Sequence, residues 1–289
     1  MAQQNMKGKV CIVTGGNSGI GYQSALSLAE MGAEVTLVCR NQVKGQQAAD
    51  HIQHATQNPV RLLLADLSDL AQVQRVSQEI TQLYPRVDVL LNNAGAYFPH
   101  FMPSAQGYEM TCALNHLSYF LLTHHLLPLL QASDQGRIVN VASRAHRTAQ
   151  LDLTDLHFRN RSYRPFVVYG TSKLMNILFT RHLADELKST PERAHITANC
   201  LHPGVVRTGF GQDYKSVFAV LAYLAGPLFI SAKKGAETSI YLASHPDVSE
   251  ISGAYFSKCK AIQPKPWAQD DQMAAQLWDI SVELCKDFM

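Results

Sequence analysis

The segment Tyr169-Gly170-Thr171-Ser172-Lys173 sets a phenol and an ammonium four residues apart. Four residues is about one helical turn, so a helix here puts both groups on one face. A free tyrosine has a pKa near ~10, too high for ready proton transfer at neutral pH, and a cation beside it favours the phenolate and lowers that value. The pair therefore has the chemistry of a general acid/base. In a chain with eleven tyrosines such a spacing also arises by chance, so its weight depends on what surrounds it.

The elements needed to position the pair can be read in order. Residues 10–14, Val-Cys-Ile-Val-Thr, form a short apolar run, and Gly15-Gly16-Asn17-Ser18-Gly19-Ile20-Gly21 follows before a helical pattern through Ala25, Leu28 and Ala29. Strand, glycine turn and helix N-terminus together make a pyrophosphate cradle: glycines let the backbone approach the anion and the helix offers unpaired N–H groups. Gly15, Asn17, Ser18, Gly19, Ile20 and Gly21 are its candidate lining. A second strand, 34–39, ends in Cys39-Arg40-Asn41. A carboxylate at this point would hold the adenosine ribose of NAD, whereas the Arg40 guanidinium suits a 2′-phosphate, so the expected cofactor is NADP(H).

Helices are predicted over 44–55 and 70–83, with strands over 60–65 and 87–91 that end in Asp66-Leu67 and in Asn92-Asn93-Ala94-Gly95. An apolar helix is predicted over 112–130, including Asn115. A fifth strand spans 136–142 with Ser143 at its carboxyl end, 144–168 is polar and irregular, and helical periodicity resumes through Leu174, Ile177, Leu178, Leu183 and Leu187. A sixth strand, 196–201, precedes His202-Pro203-Gly204-Val205-Val206-Arg207-Thr208. Strands alternating with helices of this length predict βαβ units and a mainly parallel sheet, whose ligands sit beyond the carboxyl ends of the strands. Alone, Ser143 also reads as a helix cap and Asn115 as a buried amide; His116 and His202 read as packing histidines.

Taken together, Thr14-Gly15 with Gly19-Ile20-Gly21, Asp66, Asn92-Asn93-Ala94-Gly95, Asn115, Ser143, Tyr169 with Lys173, and Pro203-Gly204 resemble the short-chain dehydrogenase/reductase superfamily over nearly the whole chain. Within it the sequence is most similar to the retinol dehydrogenase branch, through YGTSKLMNILFT at 169–180, TSIYLAS at 238–244, SGAYF at 252–256 and the long interval between Ser143 and Tyr169. The resemblance implies a single Rossmann-type doubly wound α/β domain over 1–289 with helices on both faces. Residues 8–110 would be mainly cofactor-binding, 111–208 catalytic, 209–235 a substrate lid and 236–289 a C-terminal strand and helix. It further implies Tyr169, Ser143, Lys173 and Asn115 as the catalytic set. Asp66, Leu67, Asn93, Ala94, Gly95, Tyr169, Lys173, Pro203, Gly204, Val206 and Thr208 would join the glycine turn and Arg40 around the cofactor. The activity so implied interconverts a lipophilic aldehyde or ketone with its alcohol. The alternatives are a steroid or other ketone reductase of the same fold and a non-catalytic NADP(H)-binding regulator.

Composition narrows the partners. A net charge of +2 gives no reason to expect nucleic acid, and 46% hydrophobic residues supply a sizeable core. The polar start suggests neither signal nor transit peptide, and a cytoplasmic location is expected. The six cysteines contain no CxxC and the twelve histidines no HExxH, so no metal is expected. The stretch 217–230 is apolar except Tyr223 and is interrupted by Gly226-Pro227, too short to span a bilayer. It fits a hydrophobic lid over a lipophilic substrate or a buried core helix equally well, and peripheral membrane contact is a third option. The helices around Asn115 and after Lys173 could also pair two copies across a two-fold axis.

Overall fold

Alternation along the first strand already requires two cores. In the computed structural model, which describes residues 5–206 and 230–289, β1 (Val10–Thr14) turns Val10 and Ile12 into one apolar cluster and Cys11 and Val13 into another. A strand buried on both faces belongs to the centre of a covered parallel sheet. The remaining strands are β2 (Glu34–Cys39), β3 (Val60–Leu64), β4 (Val89–Asn92), β5 (Arg137–Val141), β6 (Thr197–Leu201), β7 (Tyr255–Ser257) and β8 (Lys260–Ile262). They form one sheet in the order β3-β2-β1-β4-β5-β6-β7-β8, parallel throughout except for the β7–β8 hairpin.

Helices cover both faces. On one side lie α1 (Gly19–Glu30), α2 (Gln42–Thr56) and α7 (Ala232–Ser244), represented in the core by Leu28, Ile52 and Leu242. On the other lie α3 (Leu70–Leu83), α5 (Ser118–Gln131), α6 (Pro165–Ser189) and α8 (Asp271–Cys285), which contribute Ile80, Leu126, Leu178 and Leu277. Each such fully buried side chain is worth about 1.5–3 kcal/mol relative to exposure. The molecule is a single α/β domain of the doubly wound kind, with the predicted strands in place to within two residues at each end.

Two departures from the predicted elements affect the site. The apolar pattern predicts one helix over 112–130; instead a short α4 (Met110–Cys112) widens into a π turn, Ala113–Leu117, before α5. Asn115 sits in that wide turn with its side chain committed laterally to other segments, and such bulges commonly accompany functional side chains. At the other end of the chain, one strand and one helix are expected over 236–289, whereas the span holds most of α7, two strands, β7 and β8, and α8. Helix α7 itself begins inside the span assigned to a lid. The apolar segment 217–230 and Thr208 otherwise lie outside the described residues, except for Ile230 itself. Among the described residues no helix is long and apolar enough to cross a membrane, and no group of His, Cys, Asp or Glu could hold a metal ion.

Candidate active site

Helix α6 carries Tyr169 and Lys173, as the spacing argument requires. It starts at Pro165, where a fixed φ and a missing N–H cost a helix nothing. Gly170 lets it lie against the 3-10 turn Arg144–Thr148: a Cβ at 170 would fall 2.6 Å from Thr148 Oγ1 and closer still to the Ala145 carbonyl. That close approach brings Ser143, at the head of the turn, to Tyr169. The Ser143 hydroxyl oxygen accepts the Ala145 N–H at 3.1 Å, which leaves its own proton to be donated outward.

Burial governs the electrostatics. The Tyr169 phenol is pushed up to about 12 by desolvation, with a hydrogen bond to Ser143 pulling the other way. The Lys173 amine, only 3% exposed, is pushed down to about 7 by the same cause. Its Nζ donates to the Val141 carbonyl at 2.8 Å and lies 5.9 Å from the centre of the Tyr169 ring. The spacing alone predicts that the cation depresses the phenol. Here desolvation outweighs that attraction, because both groups sit in a medium that disfavours charge and the ammonium is directed at a carbonyl rather than at the phenol oxygen.

Asn115 lies beyond Lys173. Its Oδ1 accepts the Ala96 N–H at 2.9 Å, and its Nδ2 donates to the Ala96 carbonyl and to Ser172 Oγ, both at 3.0 Å. Gly95 stands between the two groups, since a Cβ there would be 3.1 Å from Asn115 Oδ1 and 3.4 Å from Lys173 Nζ. Asn115, Ser143, Tyr169 and Lys173 therefore converge past the carboxyl ends of β4 and β5. Neighbouring His116 is fully buried, with Nε2 on Ser281 Oγ at 2.9 Å, and burial holds it down to about 4. His202 is likewise held down to about 4, chiefly by burial. Both remain neutral packing groups near neutral pH.

The glycine turn borders the same cleft between β1 and β4, where the strand order switches direction. Gly15 has φ +65° and Gly19 φ +56°, the left-handed region that favours glycine. A Cβ at Gly15 would lie 3.0 Å from Ala94 Cα, and one at Gly21 would strike Asn93 Nδ2 and the Gly15 carbonyl. Ser18 caps α1 in extended conformation without a side-chain bond to the helix, so the N-terminal N–H groups of α1 are open to an anion. Thr14 joins turn to cleft, its hydroxyl oxygen accepting the N–H groups of Asn93 and Ala94 at 2.8 and 2.9 Å. These residues fit a dinucleotide pyrophosphate. Asn93 is engaged in bracing them, donating from Nδ2 to Thr14 O at 2.8 Å.

Arg40 stands at the exit of β2, 68% exposed at its side chain, with Nη1 3.6 Å from Asp66 Oδ2. Asp66 also accepts from Ser68 N and Oγ at 3.0 and 2.6 Å. Leu67 turns its side chain into the core, so only its backbone can face the cleft. Pro203, Gly204 and Val206 lie on the loop after β6, where Val206 bridges to Ile230.

Comparison with known proteins agrees with this geometry. The sequence model for the short chain dehydrogenase family matches residues 9–217. The chain belongs to that family. It is 40% identical to retinol dehydrogenase 14 of Homo sapiens over 298 residues, covering 96% of this chain and 86% of that one. Retinol dehydrogenase 12 of Homo sapiens is 38% identical over 280 residues, with 96% and 87% covered. Among solved structures, an uncharacterised protein of Mycobacterium paratuberculosis superposes with a TM-score of 0.79 at 30% identity, covering 98% of this chain and 95% of that one. The RhlG/NADP active-site complex of Pseudomonas aeruginosa gives a TM-score of 0.69 at 27% identity, with 87% and 95% covered.

As a short-chain dehydrogenase of the retinol dehydrogenase branch, the protein is an oxidoreductase acting on CH–OH groups. Its family uses NAD(P)(H). Several supporting contacts around the site have no signal in the sequence. Thr14 was visible as part of a motif but its double acceptor role depends on β1 and β4 being neighbours. Ser172, the partner of Asn115, had no signal beyond adjacency to Lys173. Asn92, already part of a motif, is joined at 2.9 Å across β4 and β5 to Asn140, which donates onward to Thr180 at 3.0 Å and looks in sequence like an ordinary strand residue.

Proposed function

We propose that the protein is an NADP(H)-dependent oxidoreductase that interconverts a lipophilic aldehyde or ketone and its alcohol, with Tyr169 as general acid/base. The observation that carries this reading is the convergence of Asn115, Ser143, Tyr169 and Lys173 beside a glycine turn fit for a dinucleotide. A phenol whose pKa is raised to about 12 is protonated at neutral pH and can give its proton to a carbonyl oxygen as that oxygen gains charge. Ser143, whose hydroxyl oxygen accepts the Ala145 N–H, donates its own proton to the same oxygen and stabilises the developing charge. Lys173, with a pKa lowered to about 7, exchanges protons readily at neutral pH and, one helical turn from the phenol, is suited to restore its proton. When bound, the nicotinamide supplies or accepts the hydride.

NADP(H) rather than NAD(H) is supported by Arg40, which projects into solvent where the adenosine ribose would lie and offers a charged planar donor to a 2′-phosphate. An apolar substrate is supported by the similarity to retinol dehydrogenases and by the apolar sequence 217–230. The test follows NADPH absorbance with purified protein against apolar aldehydes and ketones, steroid ketones, and small sugars. Turnover of apolar aldehydes above the hydrophilic carbonyls is expected. Binding of NADPH without turnover of any carbonyl or alcohol would overturn the catalytic reading.

A further inference from the structure

Outside the proton centre, the described residues hold one buried histidine whose two ring nitrogens both meet main chain at the edge of the site. His146 is 2% exposed and lies three residues after Ser143 in the 3-10 turn. Its Nδ1 is 2.8 Å from the Ser143 carbonyl oxygen, and its Nε2 is 3.4 Å from the Lys265 N–H. Trp267 Nε1 donates to the His146 carbonyl at 3.3 Å, and the ring packs edge-on against Tyr255, centroids 5.3 Å apart. Tyr255 in turn packs on His202, which begins the loop after β6. The residue thus joins the Ser143 turn to the strap 264–267 that follows the terminal hairpin.

We propose that His146 is a positioning residue for Ser143: as a neutral imidazole with its proton on Nδ1, it fixes the Ser143 carbonyl and so the direction of the Ser143 hydroxyl. The inference rests on the reading of Ser143 as a donor to the substrate oxygen. Only one tautomer satisfies both main-chain contacts, and in it the Tyr255 hydroxyl, 3.5 Å from Nδ1, can only accept. A carbonyl must receive a proton, so Nδ1 carries it, and the Lys265 N–H must be accepted, so Nε2 does not. Burial, the largest influence on the ring, lowers its pKa; the Ser143 carbonyl opposes this, while the nearby Arg147 and Lys265 charges lower it further. The neutral form follows near pH 7. Ser143 O receives the His146 backbone N–H at 3.1 Å as well, so the side chain adds a second restraint to the same atom. Since Ser143 must meet a reacting oxygen at hydrogen-bond distance, a small rotation of this turn acts on turnover before it acts on cofactor binding.

Three substitutions separate positioning from packing. His146→Asn keeps a donor where Nδ1 stands, His146→Gln keeps an acceptor where Nε2 stands and loses the donor, and His146→Phe keeps the ring and loses both. With NADPH and the best carbonyl substrate of the wild type, kcat is expected to fall about tenfold or more in the Gln and Phe variants and to recover most of its value in Asn. The NADPH dissociation constant and thermal midpoint should stay close to wild type in Asn and Gln, whose comparison stands even if Phe fails to fold. Imidazole 15N shifts recorded without substrate should show a proton on Nδ1 at pH 7.5. A Gln variant as fast as wild type, an Asn variant as slow as Gln, or a proton on Nε2 would overturn the proposal. Failure of the wild type itself to turn over would instead overturn the function proposed above, leaving the 15N result to judge the imidazole.

Discussion

Lys173 Nζ lies 5.9 Å from the centre of the Tyr169 ring, one turn along the same helix, and is held by the Val141 carbonyl rather than by the phenol. The two groups are therefore neighbours with separate restraints. The phenol is kept protonated by desolvation while the amine is brought to a pKa near 7, so a proton lost from Tyr169 has a titratable neighbour one helical turn away.

Tyr169→Phe removes that proton without removing the ring that packs edge-on against Tyr97. The variant is expected to fold and to bind NADPH like the wild type, while turnover falls by about 10²–10⁴-fold, the usual contribution of a positioned acid or base. Steady-state rates combined with NADPH titration of both proteins check this. Near-normal turnover would remove Tyr169 from the mechanism.

Lys173 also makes a statement about stability. Its folded pKa, about 7, is below the ordinary lysine value of 10.5, so between those limits the unfolded chain binds more protons than the folded one. Stability from this group is present in full above 10.5 and is lost as pH falls toward 7. Lys173→Met lacks the ionisation, so the wild type should gain stability relative to the variant between pH 7 and 9.5. Urea unfolding at the two pH values measures the difference, and a wild-type-minus-variant stability that stays constant or falls with rising pH contradicts the assignment. The range stops short of Tyr169, whose raised pKa affects stability only above its unfolded value near ~10.

The balance between what the sequence showed and what it hid follows from the range of the interactions. Strands such as 10–14 and 34–39 were legible because burial on both faces demands continuous apolar residues, and Gly15, Gly19 and Gly21 because a left-handed φ or a close approach demands glycine. Tyr169 and Lys173 were legible because helical spacing is local. The π turn at Asn115 was not, since it depends on Ala96 and Ser172, nineteen and fifty-seven residues away. The direction of the Tyr169 shift was hidden for the same reason: the spacing named the neighbouring cation, while desolvation is imposed by the whole fold.

Gly21→Ala sets two effects against each other. Alanine within a helix is ordinarily worth about 0.5–1 kcal/mol over glycine. Here the new Cβ meets the Gly15 carbonyl, which is backbone, and the Asn93 side-chain amide, which is held by its bond to the Thr14 carbonyl, and such overpacking typically costs about 1–3 kcal/mol. The clash should win, lowering the thermal midpoint and weakening NADPH binding as the glycine turn shifts. A variant more stable than the wild type and with unchanged cofactor affinity would show that the turn is not braced in this way.

Arg40→Ala isolates the cofactor phosphate. The exposed ion pair with Asp66 contributes at most about 1 kcal/mol, so stability should hardly change. Hydrogen bonds from a guanidinium to a charged acceptor are worth about 1.5–3 kcal/mol, which corresponds to an increase of roughly 10- to 150-fold in the dissociation constant for NADPH. The value for NADH should move by less than about threefold, because NADH lacks the group that Arg40 would hold. Titrating wild type and variant with both dinucleotides gives the comparison. Equal losses for the two would place Arg40 on a part of the cofactor they share, and no loss for either would remove it from the site.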